Sequence, residues 1–181
     1  GTWTGRTATI LCAAVQHFAS HKRVLLVDNW EWGLEGGTYP FMAENRDVLI
    51  ELERQLEPYV GVFQPVKGEI LKVLGTVKAA LRQGTCALLH HDAGHDYEQV
   101  YRDLKAYLPL LSEGGYLLVH DYNHPDNRGT RQAVDEIVGN EATLNRLSVF
   151  NTFGLFRKGP PSRGDDGLAS LGTNRAAPIN I

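Results

Sequence analysis

Short apolar bursts that alternate with helical patterns constrain this chain more than any other feature. Arg23-Val-Leu-Leu-Val-Asp28 is an apolar run stopped by Asp-Asn. Residues 85–92 and the run Gly115-Tyr-Leu-Leu-Val-His120 have the same build, and residues 60–63 form a shorter one before Pro65. Between them, residues 6–18, 41–56, 69–82, 96–111 and 129–138 carry apolar positions at helical spacing, such as Val100, Leu104 and Leu108. Strands that are apolar throughout belong in a parallel sheet covered by helices on both faces. Residues 146–150 and 153–157, separated by Asn-Thr, read as an antiparallel hairpin at one edge. From residue 159 to 181 the chain turns to Gly, Pro, Ser, Asn and Asp, a composition that reads as an extended or disordered tail. The expected division is therefore a domain over residues 1–158 and a tail over 159–181.

The bulk chemistry narrows the partners. With 181 residues, a net charge of -3 and no basic stripe, nucleic acid is not an expected partner. No apolar run reaches the ~20 residues of a membrane helix, so neither is a membrane. Cys12 and Cys86 sit in apolar runs and read as buried thiols of a cytoplasmic protein.

Two features place a ligand. Gly1 and Gly5, four residues apart just before a helix, let the backbone turn tightly and approach a bound molecule. A plain helix-capping turn explains them as well. Asp28 ends an apolar strand, where a carboxylate can accept hydrogen bonds from both hydroxyls of a ribose.

Five of the seven histidines fall between His90 and His124. One group, His90-His-Asp-Ala-Gly-His95-Asp-Tyr97, follows one strand, and the other, His120-Asp-Tyr-Asn-His124, follows the next. Ligands of open α/β sheets bind beyond the carboxyl ends of the strands, so both groups are expected on one rim. Asp92 and Asp121 would repel one another there unless a cation lies between them. Oxygen ligands suit Mg²⁺, and His120 as a third ligand shifts the preference toward other divalent metals. His95 or His124 is a candidate general base. His90 and His91 are adjacent, so one of them is expected to pack inside. Asp96 is expected to cap the helix that follows.

The run from Leu88 to Tyr122 resembles a subgroup of class I S-adenosylmethionine-dependent methyltransferases, the small-molecule O-methyltransferases of methyltransferase family 24 type. The likeness lies in Asp92-Ala-Gly-His95-Asp-Tyr97, a helix, Leu-Pro-Leu-Leu-Ser-Glu-Gly-Gly115 and a strand ending in His120-Asp121. Gly129-Thr-Arg-Gln-Ala-Val-Asp135 resembles the helix after the subgroup's fifth strand, and residues 1–5 the end of its first glycine motif. The resemblance implies an α/β fold, a Rossmann-like, doubly wound, mostly parallel seven-stranded sheet with an antiparallel C-terminal hairpin. The family's first strand and the acidic residue before its first glycine have no counterpart in this sequence. The resemblance also implies S-adenosylmethionine as cofactor. Gly1, Thr2 and Gly5 would line its methionine part, Asp28 its ribose, and Asp92 with His95 the edge near its methyl group. Asp92, His120 and Asp121 match the positions that hold a divalent metal in related enzymes.

The function expected is methyl transfer to a hydroxyl of a small molecule, sugar or phenol-like, assisted by a divalent metal. Two rivals remain: a metal-dependent hydroxylase on the same fold, and a non-catalytic cofactor-binding or assembly domain. The aromatic and glycine-rich residues 30–39 read equally as a lid or a plain loop, and assembly into a homo-oligomer stays open.

Overall fold

A computed structural model describes residues 2–18, 21–31, 47–81, 85–141 and 143–159. Gly1, most of the 30–39 segment, the first part of the helix expected from residue 41, and the tail beyond Gly159 lie outside the described residues.

The described chain runs α1 (Arg6–Phe18), β1 (Val24–Asp28), α2 (Val48–Gln55), β2 (Phe63–Lys67), α3 (Leu74–Ala80), β3 (Cys86–His91), α4 (Tyr97–Tyr107), β4 (Leu111–Val119), α5 (Arg128–Asn140), β5 (Leu144–Phe150) and β6 (Phe153–Lys158). β1 pairs with β2 in parallel, and a separate four-stranded sheet has the order β3-β4-β6-β5. β3 and β4 are parallel, with His91 opposite Val119. β6 returns antiparallel to β4 and places Gly154 opposite Val119.

The alternation of helix and strand thus produces the expected α/β fold and C-terminal hairpin. The single seven-stranded sheet is not what the described residues form: they give six strands in two sheets. β1 and β3 each have one strand partner, and both line a cavity of about 730 Å³ between them. Leu11 and Val15 of α1 close it on one side, and Val77 of α3 and Tyr107 of α4 on another.

One strand lies later than its sequence suggests. The burst at residues 60–63 ends in turns, and the strand is Phe63–Lys67, with Pro65 inside it opposite Leu26. Proline lacks an amide donor but is tolerated where one side of a strand needs no partner, and β2 is such an edge.

Three buried clusters hold the layers. Val100, Leu104, Ala133, Val134 and Ile137 from α4 and α5 pack on Leu117, Val119 and Phe156 of the four-stranded sheet. Ala8, Cys12, Leu26, Trp30, Leu52 and Leu56 join α1, β1 and α2. Val66, Val77, Tyr107 and Leu110, with Leu25 and Leu89 against them, bridge the two sheets. This burial of apolar surface is the main stabilising contribution.

Candidate active site

The site follows from where β3 and β4 stop. Both strands run the same way, so the residues after His91 and after Val119 emerge side by side. The amide of His120 donates to the His91 carbonyl at 3.0 Å, extending the ladder into the loop. Asp121 then takes φ 55, a left-handed conformation in which aspartate is among the better-tolerated residues. The turn directs its carboxylate back toward the β3 loop.

There the carboxylates and histidines meet. His120 Nδ1 lies 3.0 Å from Asp92 Oδ1 and 3.3 Å from Asp121 Oδ1. His95 Nε2 lies 3.0 Å from Asp121 Oδ2, to which Asn127 Nδ2 donates at 3.0 Å. His95 Nε2 and His120 Nδ1 are shielded from solvent, yet neither contact has the alignment of a hydrogen bond. They are close polar contacts, of the loose kind that tightens when a catalytic site takes its substrate.

Within the expected metal triad, His120 Nδ1 lies within reach of both Asp92 and Asp121. Among the described residues, no group of three or more His, Cys, Asp or Glu is arranged to hold a metal ion. The donors contact one another instead of converging on a common point.

The other histidines divide as adjacent strand residues must. His91 is buried, with Nε2 3.4 Å from Asp103 Oδ2 of α4, itself buried. His90 faces the opposite way, against Phe153. Burial pulls its imidazole down to about 4, so it is neutral at neutral pH. His124 sits in the loop after Asp121, where its Nδ1 accepts the Asp126 amide at 3.3 Å. It therefore closes a local turn, whereas His95 joins the carboxylate cluster. Asp96 caps α4 as expected, its Oδ1 accepting from the Gln99 amide at 2.9 Å.

Two residues that hold the cluster in place escaped the sequence reading. Asn127 is one. Gly129 is the other: a Cβ there would lie 2.6 Å from the Tyr97 amide nitrogen and 2.8 Å from the His95 carbonyl oxygen. The start of α5 thereby rests directly on the His95 backbone, and Thr130 Oγ1 donates to the same carbonyl at 3.3 Å.

At the tip of β1, Asp28 is buried. Its Oδ2 accepts from the amides of Thr2 and Trp3, the latter at 3.1 Å, and its Oδ1 from the Trp30 amide at 2.9 Å. Burial works to raise the carboxyl, but the Thr2, Trp30 and Trp3 amides outweigh it and hold it below its ordinary value. Thr2 is therefore anchored at the strand tip, and it shares the wall of the interstrand cavity with Ala93 beyond β3. Gly5 takes φ +99, and a Cβ would lie 2.4 Å from Leu52 Cδ1. Turn geometry and packing against α2 are enough to require glycine at position 5. Gly1 lies outside the described residues.

A fold of this build is one that S-adenosylmethionine-dependent methyltransferases share. The model of a methyltransferase-domain family matches residues 1–122, and the chain belongs to that family. Among curated proteins, none matches significantly. Among solved structures, the O-methyltransferase NovP is similar with a TM-score of 0.65 at 20% identity, over 87% of this chain and 69% of that one. CalS11, a TDP-rhamnose 3'-O-methyltransferase of calicheamicin biosynthesis, is similar with a TM-score of 0.62 at 20% identity, over 91% and 70%. TomG from Streptomyces achromogenes, an O-methyltransferase of tomaymycin synthesis solved with S-adenosylmethionine, is similar with a TM-score of 0.61 at 18% identity, over 88% and 70%. At these identities the likeness is one of fold.

Proposed function

We propose that this chain transfers the methyl group of S-adenosylmethionine to a hydroxyl of a small molecule, sugar or phenol-like, with His95 receiving the proton. The observation that carries the reading is the contact of His95 Nε2 with Asp121 Oδ2 on the rim shared by β3 and β4. S-adenosylmethionine supplies a methyl already activated on a sulfonium. The task left to the protein is to hold acceptor oxygen, methyl carbon and sulfur in line and to take up a proton. The C–S bond breaks with its electron pair as the O–C bond forms, and the hydroxyl proton passes to His95 Nδ1. Asp121 orients that ring and stabilises the imidazolium that results. Asn127 holds Asp121, and His120 keeps Asp92 and Asp121 at a fixed separation. Asp28, already a buried acceptor at a strand tip, suits a ribose whose hydroxyls replace the Thr2 and Trp3 amides on Oδ2. Thr2 and Gly5 would border the methionine part, and Asp92 the methyl group.

The steps above need no metal; were a divalent ion bound, Asp92, His120 and Asp121 would be the residues to hold it, and it would acidify the acceptor hydroxyl. A hydroxylase reading finds no further support in the cluster. The cavity between β1 and β3 supports a seventh strand in the complete sheet. Residues from both ends of the two strands line that cavity, Lys22 and Cys86 among them as well as Thr2 and Ala93. The reading takes residues 1–158 as the methyltransferase domain and 159–181 as a tail. It takes a small molecule as partner in the cytoplasm and leaves a homo-oligomer open. No described helix is long and apolar enough to cross a membrane.

Titration calorimetry with S-adenosylhomocysteine, followed by mass spectrometry of hydroxylated acceptors after incubation with S-adenosylmethionine, tests the proposal. Binding and a gain of one methyl on oxygen are expected; no heat and no methylated product would reject it.

A further inference from the structure

The tip of the C-terminal hairpin places two phenylalanines beside the cluster. Phe150 closes β5, Phe153 opens β6, and they are register partners across the Asn151–Thr152 turn. Their rings lie nearly parallel, 16° apart, with centroids separated by 5.5 Å. Because Gly154 pairs with Val119, Phe153 stands just beyond the end of β4, next to His120. Its ring meets the His120 imidazole edge to face at 4.7 Å and stacks on His90 at 6.4 Å. The Asn123 amide donates to the Thr152 carbonyl at 3.2 Å and pins the tip to the loop that carries Asp121. Phe150 remains 48% exposed.

A two-residue turn beside a polar rim asks only for residues that tolerate its backbone, and Asn151 at φ 52 meets that need. As register partners the two rings stabilise the hairpin, but the pair also leaves apolar surface of Phe150 in water beside the polar rim. We propose that Phe150 and Phe153 are the platform on which the methyl acceptor's ring stacks, and that the acceptor is a hydroxylated aromatic ring. This rests on the methyltransferase reading above. A flat ring laid across the edges of the Phe150–Phe153 pair, on the side nearer His120, buries part of the exposed Phe150 ring. A hydroxyl at its edge then points toward the side of the tip occupied by His120, where Asp92, Asp121 and His95 gather. A sugar ring carries hydroxyls around most of its edge, and neither phenylalanine offers a hydrogen-bond partner to any of them. Such a site favours a ring that is apolar on its face and polar at one edge.

The test uses the 181-residue chain with S-adenosylmethionine and two probes, 3,4-dihydroxybenzoate and methyl α-L-rhamnopyranoside. The dihydroxybenzoate is expected to be methylated, and saturation-transfer NMR should show strong saturation of its ring protons that weakens in Phe150→Ala. Phe150→Ala should raise its KM about tenfold with kcat held within about twofold, the loss expected for one stacked ring. Phe150→Tyr, which keeps the ring, should restore the KM. Calorimetry with S-adenosylhomocysteine should be the same for all three chains. A KM that does not respond to Phe150→Ala, a tyrosine variant as weak as the alanine one, or methylation of the rhamnoside alone would overturn the platform while leaving the methyltransferase reading intact. Absence of heat with S-adenosylhomocysteine would remove that reading and the platform with it.

Discussion

His95 Nε2 stands 3.0 Å from Asp121 Oδ2, and the two residues come from loops after different strands. The contact is set by the parallel pairing of β3 and β4 and by the left-handed backbone at Asp121. Replacing Asp121 by asparagine preserves the shape and removes the charge that orients and stabilises the imidazole. Turnover should fall by on the order of 100-fold, within the range typical of general-base catalysis. Affinity for S-adenosylhomocysteine should change little, because Asp28 rather than Asp121 faces the ribose in this reading. Steady-state kinetics beside calorimetry separates the two quantities, and equal turnover in wild type and variant would exclude Asp121 from proton handling.

Gly129 provides a purely steric prediction. A methyl group there meets backbone atoms of His95 and Tyr97, which cannot swing aside as a side chain would. Gly129→Ala should cost about 1–3 kcal/mol of stability through overpacking. It should also lower activity by displacing the His95 loop. Urea unfolding gives the first quantity, and the activity remaining in folded protein gives the second.

Acid should act on Asp28. Its folded-state carboxyl titrates below the ordinary value of 3.8, so the unfolded chain binds the proton more readily. The stabilisation is therefore fully present above the unfolded value and is lost as pH falls through the lower, folded one. Unfolding free energies at neutral pH and at steps below pH 4 should fall more steeply for the wild type than for Asp28→Asn. Parallel curves would mean that the Thr2, Trp3 and Trp30 amides favour the charged form no more than water does.

The two cysteines should be chemically quiet. Cys12 is fully buried, and burial pushes its thiol up to about 11; burial also raises the Cys86 thiol. The thiolate is the reactive form, so iodoacetamide at pH 8 should label native protein slowly and denatured protein at both positions. Mass spectrometry of the labelled chain reads this directly, and rapid native labelling of Cys12 would show that α1 opens easily.

Much of this architecture was readable from residue order. β1, β3 and the second half of β4 follow the apolar runs, Val100 and Leu104 form the stripe of α4, and Asn-Thr between two short runs marks the hairpin; α4 ends at Tyr107 and β4 begins already at Leu111, where residues 96–111 read as one helix. The histidine groups at the ends of β3 and β4 announce a shared rim once those strands are taken as neighbours. What stayed hidden depends on tertiary distance. Pro65 made β2 look like the end of a strand, because sequence does not show which side of a strand lacks a partner. Spacing brings Asp92, His120 and Asp121 to one rim but does not show that the imidazole contacts both carboxylates. Asn127 carries no local signal, and Gly129 shows only as the opening of a helix that resembles the family's; each acts on a residue reached only through folding. Phe150 and Phe153 read as ordinary strand residues, and only the pairing of Gly154 with Val119 moves them beside His120.

The order β3-β4-β6-β5 bears on how this molecule exchanges its amides. β4 is laddered on both sides, whereas β5 has one described neighbour and is largely exposed after Leu144. Deuterium should enter the amides of β5 far sooner than those of β4, so the loop that carries Asp121 hangs from one of the most protected strands described.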